Sequence, residues 1–577
     1  MGNSKLPALI SSPMVSQDRN TDGEKTPMPM PIQLPADDEA QLQDPDDPHD
    51  GTHPHEQVRR GRHGKRARRA RRSVRVLRWT SGVLGVSLVV GAGAGYAYYQ
   101  HLNKNIQHGA LNTSTVTVAK PKANAAGQSA INILILGTDS RATAADCKLG
   151  GSCGDSGYGH ADVEMLLHVS ADRSNATVLS IPRDTKVDIP ACKDSTGTKS
   201  YAASYDIITD SMEHGGAGCT VGTWEKLTGI SIDHYITVDF SGVVQMADAV
   251  GGVPVCTKEN VQDTAGSHLK LKAGTTTIKG VQALEWLRTR HAFEDGTDIG
   301  RTHAQHLYLN SLIRKLKSAN TIANPLKVDA LAEAATKALT VSNEIASITK
   351  LASLAVDINK VPTKNITMTT MPFSYITSDP AHVQPTSEAY KLFSMIRNDT
   401  SLTSTGVSKT ASASVAASAS AAAQAAASAS ASASAAAAAV DKSKVKIAVR
   451  NGGTVVGRGT AITKYLNGKG FTEAAVDTTN VTATATTLTY PSGQKVKAQA
   501  VASALGLQAA ELKSSGSATS LTLVIGTDWT SGTNYAKTLP KAGTVPSTTV
   551  SQNAADSSQC MTVNPAKNSY GKYIYIW

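Results

Sequence analysis

The sequence predicts an α/β protein that follows a single N-terminal transmembrane helix, and three stretches of the chain carry this prediction. Residues 129–400 alternate apolar strand-like runs with helix-like stretches, which is typical of an α/β domain. Residues 444–535 repeat the pattern on a smaller scale, from VKIAVRNGG through the helical GTAITKYLNGKG to the strand-like LTLVIGTDW. Residues 79–100 carry no charge, and about 20 such residues span a bilayer as a helix.

The N-terminal segment is polar and then strongly basic. Residues 1–58 are rich in Pro, Asp, Gln and His, with few large apolar side chains, so we expect a disordered tail. The segment 59–78 contains no acid and eleven cations: Arg59, Arg60, Arg62, Lys65, Arg66, Arg68, Arg69, Arg71, Arg72, Arg75 and Arg78. Because the whole chain has a net charge of +11, the rest is close to neutral. We therefore expect contact with anionic membrane lipids and no nucleic-acid partner.

The charges and aromatic residues around the apolar segment predict its orientation. Trp79 stands at one end, and Tyr96, Tyr98 and Tyr99 stand at the other, as in an interfacial aromatic belt. Because the cations precede the segment, its N-terminal side should be cytoplasmic and the folded domains extracellular. A cleaved signal peptide would begin near residue 1, and a buried core helix would not follow such a basic run. We expect a single-pass membrane protein.

The remaining segments connect the two predicted domains to the membrane and to each other. Residues 101–128 are small and polar, which suits a stalk. Residues 401–443 are dominated by Ala and Ser and form a linker whose stiffness is open, since Ala favours helix and Ser does not. Residues 536–577 are expected to be a loosely structured tail.

Six cysteines lie beyond the apolar segment, and some should pair in an oxidising compartment. None forms a Cys-x-x-Cys motif, so a structural zinc site is not expected. Cys147 and Cys153 flank a glycine-containing loop and are one candidate pair, and Cys192 with Cys219 is a weaker one. The connectivity stays open.

Charged residues follow three apolar elements of the first domain. The strand-like INILIL leads into a turn with Asp139 and Arg141, and such strand ends line ligand sites in open α/β sheets. Asp162 opens a second strand-like run. The later strand-like TVLSI is followed by Arg183 and Asp184.

A third element adds further cations in the sequence ALEWLRTRHAFEDGTDIGRTHAQH. Arg288 and Arg290 are two residues apart and point the same way in an extended backbone. Arg301 and Gln305 are four apart and share one face of a helix. Converging guanidinium groups suit phosphate, and nearby carboxylates suit a divalent cation that bridges to the same phosphates. Surface salt bridges are the ordinary alternative.

Four ordered motifs resemble the LytR-CpsA-Psr family of cell-wall glycopolymer ligases: NILILGTDSR, SIPRD, GISIDHYITVDFSGVVQMADAVGGV and LRTRH…DIGR. They cover roughly residues 129–320. The resemblance implies a mixed sheet flanked by helices, with an apolar pocket for a polyprenyl chain. It also implies a phosphotransferase that moves a glycopolymer from a polyprenyl-pyrophosphate carrier onto peptidoglycan. Residues 444–535 resemble the LytR-type C-terminal domain often attached to such proteins.

The same resemblance implies roles for individual residues. Asp139 and Asp162 would hold Mg²⁺ or Mn²⁺. Pyrophosphate would be bound by Arg183, Arg288, Arg290 and Arg301, with a polar contact from Gln305. The charge pattern of the segment, independently of the resemblance, adds Arg141 to the candidate pyrophosphate-binding residues. Either Asp184 or Asp162 is a candidate to assist deprotonation of the acceptor.

Two positions depart from the family's pattern. His160-Ala161-Asp162 stands where Arg-Ser-Asp is common, and Ala304 stands where an Arg is often found. A neutral His160 gives a pyrophosphate less positive charge than Arg, and His303 or His306 could compensate.

Two other functions remain open at this point. One is a polyprenyl-pyrophosphate phosphatase that uses water as the acceptor. The other is a non-catalytic wall-binding or regulatory membrane protein, since the family's historical name describes a transcription attenuator. The polar N-terminal tail has no evident helix-turn-helix, which argues against a DNA reader.

Overall fold

The computed structural model describes residues 64–577 except 122, 125, 141–142, 151–156, 319–320, 322, 404–436, 438, 508–510, 539–540 and 547–548, with side chains from residue 79 onward. Arg141, Cys153, the predicted tail 1–58 and most of the Ala/Ser linker lie outside the described residues. The chain divides into two units, Met1–Leu84 and Gly85–Trp577.

The first long helix contains the predicted span. Helix α1 (Gly64–Asn105) includes a 27-residue segment, Trp79–Asn105, that is long and apolar enough to cross a membrane. The most apolar part of this segment is not buried by the described residues, so its side chains are available to lipid. The other α-helices in the described part of the chain are α2 (Ala144–Lys148), α3 (Ala217–Thr228), α4 (Phe240–Ala249), α5 (Val281–Arg288), α6 (Asp298–Leu316), α7 (Pro325–Ala338), α8 (Ile348–Lys360), α9 (Ser387–Arg397), α10 (Arg458–Gly468) and α11 (Lys495–Leu505).

An eight-stranded mixed sheet forms the centre of the second unit, which confirms the predicted fold class. Its strands are β1 (Gln107–Gly109), β2 (Ile131–Thr138), β3 (Ala161–Val169), β4 (Ala176–Ser180), β5 (His234–Val238), β6 (Leu339–Ser342), β7 (Ile366–Thr370) and β8 (Ser551–Asn553). They lie in the order β1-β6-β5-β2-β3-β4-β7-β8. Strand pairs β1–β6, β5–β2 and β4–β7 are parallel, and the other neighbours are antiparallel.

Helices cover both faces of this sheet. Leu134 and Leu136 of β2 belong to a core shared with α3 and α9. Ile133, on the opposite face, packs with Val341 of β6 and Leu354 of α8. Because both faces are buried, β2 is a continuous apolar run instead of an alternating one.

Five two-stranded antiparallel sheets lie outside the central sheet in the described part of the chain, and a smaller domain follows in sequence. These sheets pair Lys186–Ile189 with Ser204–Ile207, Cys192–Lys193 with Ser200–Tyr201, Val253–Thr257 with Gly274–Ile278, Val261–Gln262 with Lys270–Leu271, and Phe373–Ile376 with Asp379–Pro385. The smaller domain has a five-stranded sheet in the spatial order Ala474–Val476, Ile447–Asn451, Leu521–Ile525, Thr487–Pro491 and Leu512–Ser515.

A buried ion pair joins the smaller domain to the larger one. Arg397 at the end of α9 donates to Asp528 at 2.9 Å, and the Tyr535 hydroxyl donates to the same carboxylate at 2.8 Å. Asp528 also accepts the backbone N–H of Thr486 at 2.9 Å. These contacts fix the two domains against each other through polar groups that have little access to water.

The final residues return to the large sheet. Residues 536–577, expected to be loosely structured, contain strand β8 and the half-cystine Cys560, which is bonded to Cys256. The predicted pair Cys192–Cys219 is confirmed. The Cys147–Cys153 prediction involves a residue outside the described ones. Sequence spacing could not reveal Cys256–Cys560, because 304 residues separate its cysteines.

Candidate functional site

The ends of β2 and β3 bring the two predicted metal-binding carboxylates to one end of the sheet. Gly137 lies opposite Val163, and Thr138 lies opposite Ala161, so Asp162 is the extra residue of a β-bulge. Beyond the strand, the N–H of Asp139 donates to the His160 carbonyl at 3.2 Å. Asp139, one residue beyond β2, and Asp162, in β3, therefore lie at the same end of two adjacent strands.

A glycine allows the second strand to approach Asp139. The N–H of His160 donates to the Asp139 carboxylate at 2.8 Å. Gly159 precedes it with a φ of +69°, and a Cβ there would lie 2.8 Å from Asp139 Oδ1 and 2.6 Å from the Ser140 nitrogen. A side chain at this position would push the loop away from the carboxylate.

Arg183 is the centre of the charged cluster. It follows β4, and its Nη1 lies 2.7 Å from Asp162 Oδ1. Its Nε lies 3.0 Å from Asp298 Oδ2 and 3.4 Å from Asp184 Oδ1. One guanidinium group thus joins carboxylates from three different chain segments.

Two more predicted arginines reach the same carboxylates. Arg290 Nε lies 3.3 Å from Asp298 Oδ1, and Arg301 Nη2 lies 3.2 Å from the same oxygen. Arg301 Nη1 lies 4.0 Å from Asp162 Oδ1. The structure therefore brings together Arg183, Arg290 and Arg301, and we call these residues with Asp162, Asp184 and Asp298 the phosphate cluster.

Asp298 was missed by the sequence reasoning, although it contacts all three of these arginines. It is the first residue of α6, preceded by the N-cap Thr297, whose side chain accepts from Ile299 N–H. The signal was available: an acid directly after a Thr cap, with an Arg three residues later, marks a helix start with an i,i+3 ion pair. Asp298 is 7% exposed and so depends on its partners.

Arg288 and Gln305 have different neighbours. Arg288 Nη1 donates to the Leu149 carbonyl at 3.2 Å, and its guanidinium lies over the Phe240 ring at 4.7 Å from the centroid. Gln305 is buried, and its Nε2 donates to the Leu287 carbonyl at 3.2 Å. In this arrangement Gln305 holds the backbone that presents Arg288.

Burial and neighbouring charges shift the pKa values of Asp184 and Asp298, two acids beside Arg183, in opposite directions. Burial, and then the hydrogen bond and charge of Asp298, raise the pKa of Asp184 to about 6. Burial alone would raise the pKa of Asp298, but the hydrogen bond from Asp184 and the charges of Arg301, Arg183 and Arg290 lower it. Asp184 is therefore the group of this pair that takes up a proton near neutral pH.

The histidines considered as replacements for a missing arginine lie in three environments. His160 Nε2 lies 3.5 Å from Glu213 and 3.6 Å from Asp210. His303 Nδ1 is paired with Glu294. Burial lowers the pKa of His306 to about 3, and its Nε2 lies 2.6 Å from the Ser180 hydroxyl. His306 is therefore neutral and adds no positive charge.

The second departure, Ala304, is buried in the core. Its side chain is fully inaccessible, and its carbonyl accepts the Trp286 indole N–H at 2.9 Å. The chain thus has an apolar contact where an arginine is common in the family.

The donor set fits a hard divalent cation. Mg²⁺ keeps several waters and is usually bound through one or two carboxylates plus substrate phosphates, so Asp139 and Asp162 are enough protein ligands. In the described part of the chain, no group of three or more His, Cys, Asp and Glu side chains is arranged to hold a metal.

Comparisons with known proteins agree with the resemblance drawn from the motifs. The model of the LytR_cpsA_psr family matches residues 92–413, and that of the LytR cell envelope-related transcriptional attenuator matches residues 444–529. The chain is 32% identical over 276 residues to the cell wall biosynthesis protein LcpA of Corynebacterium glutamicum, covering 44% of this chain and 51% of the relative.

Further matches lie in other bacteria. The chain is 31% identical over 261 residues to the polyisoprenyl-teichoic acid–peptidoglycan teichoic acid transferase TagV of Bacillus subtilis, covering 44% of this chain and 60% of the relative. The solved LytR-Csp2A-Psr enzyme from Actinomyces oris matches with 21% identity and a TM-score of 0.38, over 50% of this chain and 96% of that one.

The matches to the two curated relatives span about half of one relative and 60% of the other. Because the first family model covers more than half of the 577 residues, this chain belongs to the LytR_cpsA_psr family.

Proposed function

We propose that this protein transfers a glycopolymer from a polyprenyl-pyrophosphate carrier to a hydroxyl group of peptidoglycan. The observation that carries the proposal is the phosphate cluster, in which Arg183, Arg290 and Arg301 converge beside Asp162 at the end of the sheet. Guanidinium groups present paired donors that match phosphate oxygens. The names of the relatives, one of them a polyisoprenyl-teichoic acid–peptidoglycan teichoic acid transferase, support the same reaction class.

The position of the candidate span favours a lipid-linked substrate. Strand β1 begins just after α1, and Gln107 is aligned through Thr340 and Thr237 with Leu136 of β2. Asp139 follows at the same end of the sheet. Since β1 and β2 are three strands apart, about 14 Å separates them. A membrane-spanning α1 would therefore hold this end of the sheet towards the bilayer that contains the carrier.

Each part of the site has a task in this reaction. The acceptor hydroxyl oxygen attacks the phosphorus bound to the glycopolymer, and the bond from that phosphorus to the bridging oxygen breaks. Polyprenyl phosphate leaves, and its developing charge is stabilised by the arginines. Asp184, with a pKa of about 6, has a suitable proton affinity to receive the acceptor proton. Mg²⁺ held by Asp139 and Asp162 would supply further charge neutralisation when bound.

The proposed location is the outer face of a cytoplasmic membrane, with the N-terminus inside. The basic segment 59–78 precedes the span, which favours a cytoplasmic N-terminus in contact with anionic lipids. Two disulfides, Cys192–Cys219 and Cys256–Cys560, support an oxidising compartment for everything after the span.

The test supplies the full-length protein with a polyprenyl-pyrophosphate-linked oligosaccharide, Mg²⁺ and peptidoglycan fragments. We expect the oligosaccharide to become covalently bound to peptidoglycan and polyprenyl phosphate to appear only when the acceptor is present. Asp162→Ala and chelation should each abolish transfer. Release of phosphate without acceptor would instead identify a phosphatase, and absence of both products would favour a wall-binding or regulatory role.

A further inference from the structure

The last part of the chain belongs to neither matched family region but contacts the loop that carries Arg290 of the candidate site. The family models end at residues 413 and 529. We call residues 549–577 the C-terminal strap. Beyond the smaller domain, the strap crosses back to the large domain and pairs with the edge of its central sheet.

The first part of the strap binds the helix that begins at the phosphate cluster. Strand β8 pairs with β7 in an antiparallel register. The Asn310 side chain in α6 donates to Gln552 at 3.3 Å. Arg314 in the same helix donates to the carbonyls of Ala554 and Asp556 at 2.7 and 2.9 Å.

The middle of the strap is tied covalently to the large domain. Cys560 is bonded to Cys256, and the backbone continues the attachment beyond the disulfide. Met561 N–H donates to the Cys256 carbonyl at 2.9 Å, and Lys258 N–H donates to the Met561 carbonyl at 2.9 Å. Met561 and Val563 are buried in the core that contains Trp286 and Phe293.

The strap then reaches residues 289–297, which we call the arginine loop because they contain Arg290 and lead directly into Asp298. The N–H of Glu294 donates to the Thr562 carbonyl at 3.0 Å, and the N–H of Asn564 donates to the Ala292 carbonyl at 2.9 Å. The Asn564 side chain donates to the His291 carbonyl at 2.8 Å. Three hydrogen bonds from a distant segment therefore hold a short loop.

The loop needs such support for two reasons. It contains no strand or α-helix, and fixing each residue of an irregular loop costs about 1–2 kcal/mol of conformational entropy. Glu294 has a φ of +47°, which non-glycine residues adopt only when their surroundings hold them there. The Thr562 carbonyl binds the N–H of this same residue.

We propose that residues 560–564 of the strap are positioning residues for the phosphate cluster. They hold the arginine loop so that Arg290 and Asp298 stay opposite Arg183, and they do so without touching substrate. Because displacement of binding groups by about 1 Å can reduce catalysis about 100-fold, a loop released from the strap should bind pyrophosphate poorly. The expected effect on transfer rests on the proposed function. The expected effect on pyrophosphate binding does not depend on it.

Two matched variants test whether the Asn564 side chain helps to hold the arginine loop. Asn564→Ala removes one hydrogen bond to the His291 carbonyl in the arginine loop. Asn553→Ala removes an equivalent 2.7 Å bond from the same strap to the Lys364 carbonyl, which lies just before β7. With inorganic pyrophosphate and Mg²⁺ as the probe, calorimetry should show binding about tenfold weaker for Asn564→Ala and unchanged for Asn553→Ala.

A cleavage experiment tests the strap as a whole. A protease recognition sequence inserted after Lys541, in the full-length protein, allows the chain to be cut while Cys256–Cys560 still retains the strap. Cutting alone and reduction alone should leave pyrophosphate binding within about twofold, because one covalent link remains in each case. Cutting followed by reduction and gel filtration should release the strap and weaken binding about tenfold or more.

The reduced but uncut sample controls for loss of Cys192–Cys219. Hydrogen exchange should show faster exchange in residues 289–297 only after release of the strap. Equal binding by the two Asn variants, or unchanged binding and exchange after release, would overturn the positioning role. If the intact protein failed to bind pyrophosphate at all, the proposed function would fail, while hydrogen exchange would still decide the role of the strap.

Discussion

The phosphate cluster and the domain junction are both built from arginine and aspartate, but they differ in how completely their charges are enclosed. At the junction, the side chains of Arg397 and Asp528 are 11% and 1% exposed. Arg397 also donates to the Thr228 carbonyl at 3.1 Å, and Asp528 also accepts from Thr486 and Tyr535. The charges of this pair are satisfied within the protein.

The phosphate cluster leaves part of its charge accessible. The side chain of Arg290 is 40% exposed, and those of Arg183 and Asp162 are 27% and 29% exposed. Arg290 Nε and Asp298 Oδ1 lie 3.3 Å apart but have no hydrogen-bond partner of good geometry among the described residues. An enclosed, satisfied pair holds a structure together, whereas guanidinium groups that stay partly exposed, as in Arg183 and Arg290, are suited to binding an anion.

The largest effect on stability should come from breaking the enclosed pair. Arg397→Met leaves the buried Asp528 carboxylate without its cation, and loss of one partner of a buried ion pair costs about 3–5 kcal/mol. Urea denaturation should show this loss of unfolding free energy, while transfer per folded molecule stays near the original value. Arg450→Met is the control, because its partner Asp477 lies in a more open pair at 2.6 Å. Equal losses in the two variants would contradict the distinction.

A change in the open cluster should affect chemistry more than stability. Arg183→Lys keeps the charge but cannot reproduce the contacts with Asp162 and Asp298 at the same time. We expect transfer to fall about 10- to 100-fold, with the melting temperature nearly unchanged. Arg288→Lys should also reduce transfer, although its present contacts are Leu149 and Phe240. Full transfer by Arg183→Lys would remove this residue from the proposed site.

Features that depend on local sequence could be predicted, whereas features that depend on contacts between distant parts of the chain could not. The span, the apolar run of β2 and the positions of Asp139 and Asp162 at strand ends all follow from local pattern. The central position of Asp298 does not, because it depends on Arg183, which comes 115 residues earlier in the chain. Cys256–Cys560 depends on an even longer separation. The roles assigned to the predicted site residues, and the Mg²⁺ ion, remain predictions.

The smallest effect concerns the pH dependence of stability that the phosphate cluster contributes. The pKa of Asp184 is raised to about 6, above that of an unfolded Asp. Its contribution to stability is therefore fully present below about pH 4 and is lost as the pH rises through about 6. Since the side chain is partly exposed, we expect a loss of only about 1 kcal/mol between these limits. Asp184→Asn cannot ionise and should lack this loss, whereas the unmodified protein should show it. Urea denaturation between about pH 4.5 and 7.5 measures both.

A slope in Asp184→Asn equal to that of the unmodified protein would mean that another group titrates in this range, and the proton-accepting role proposed for Asp184 would lose its support.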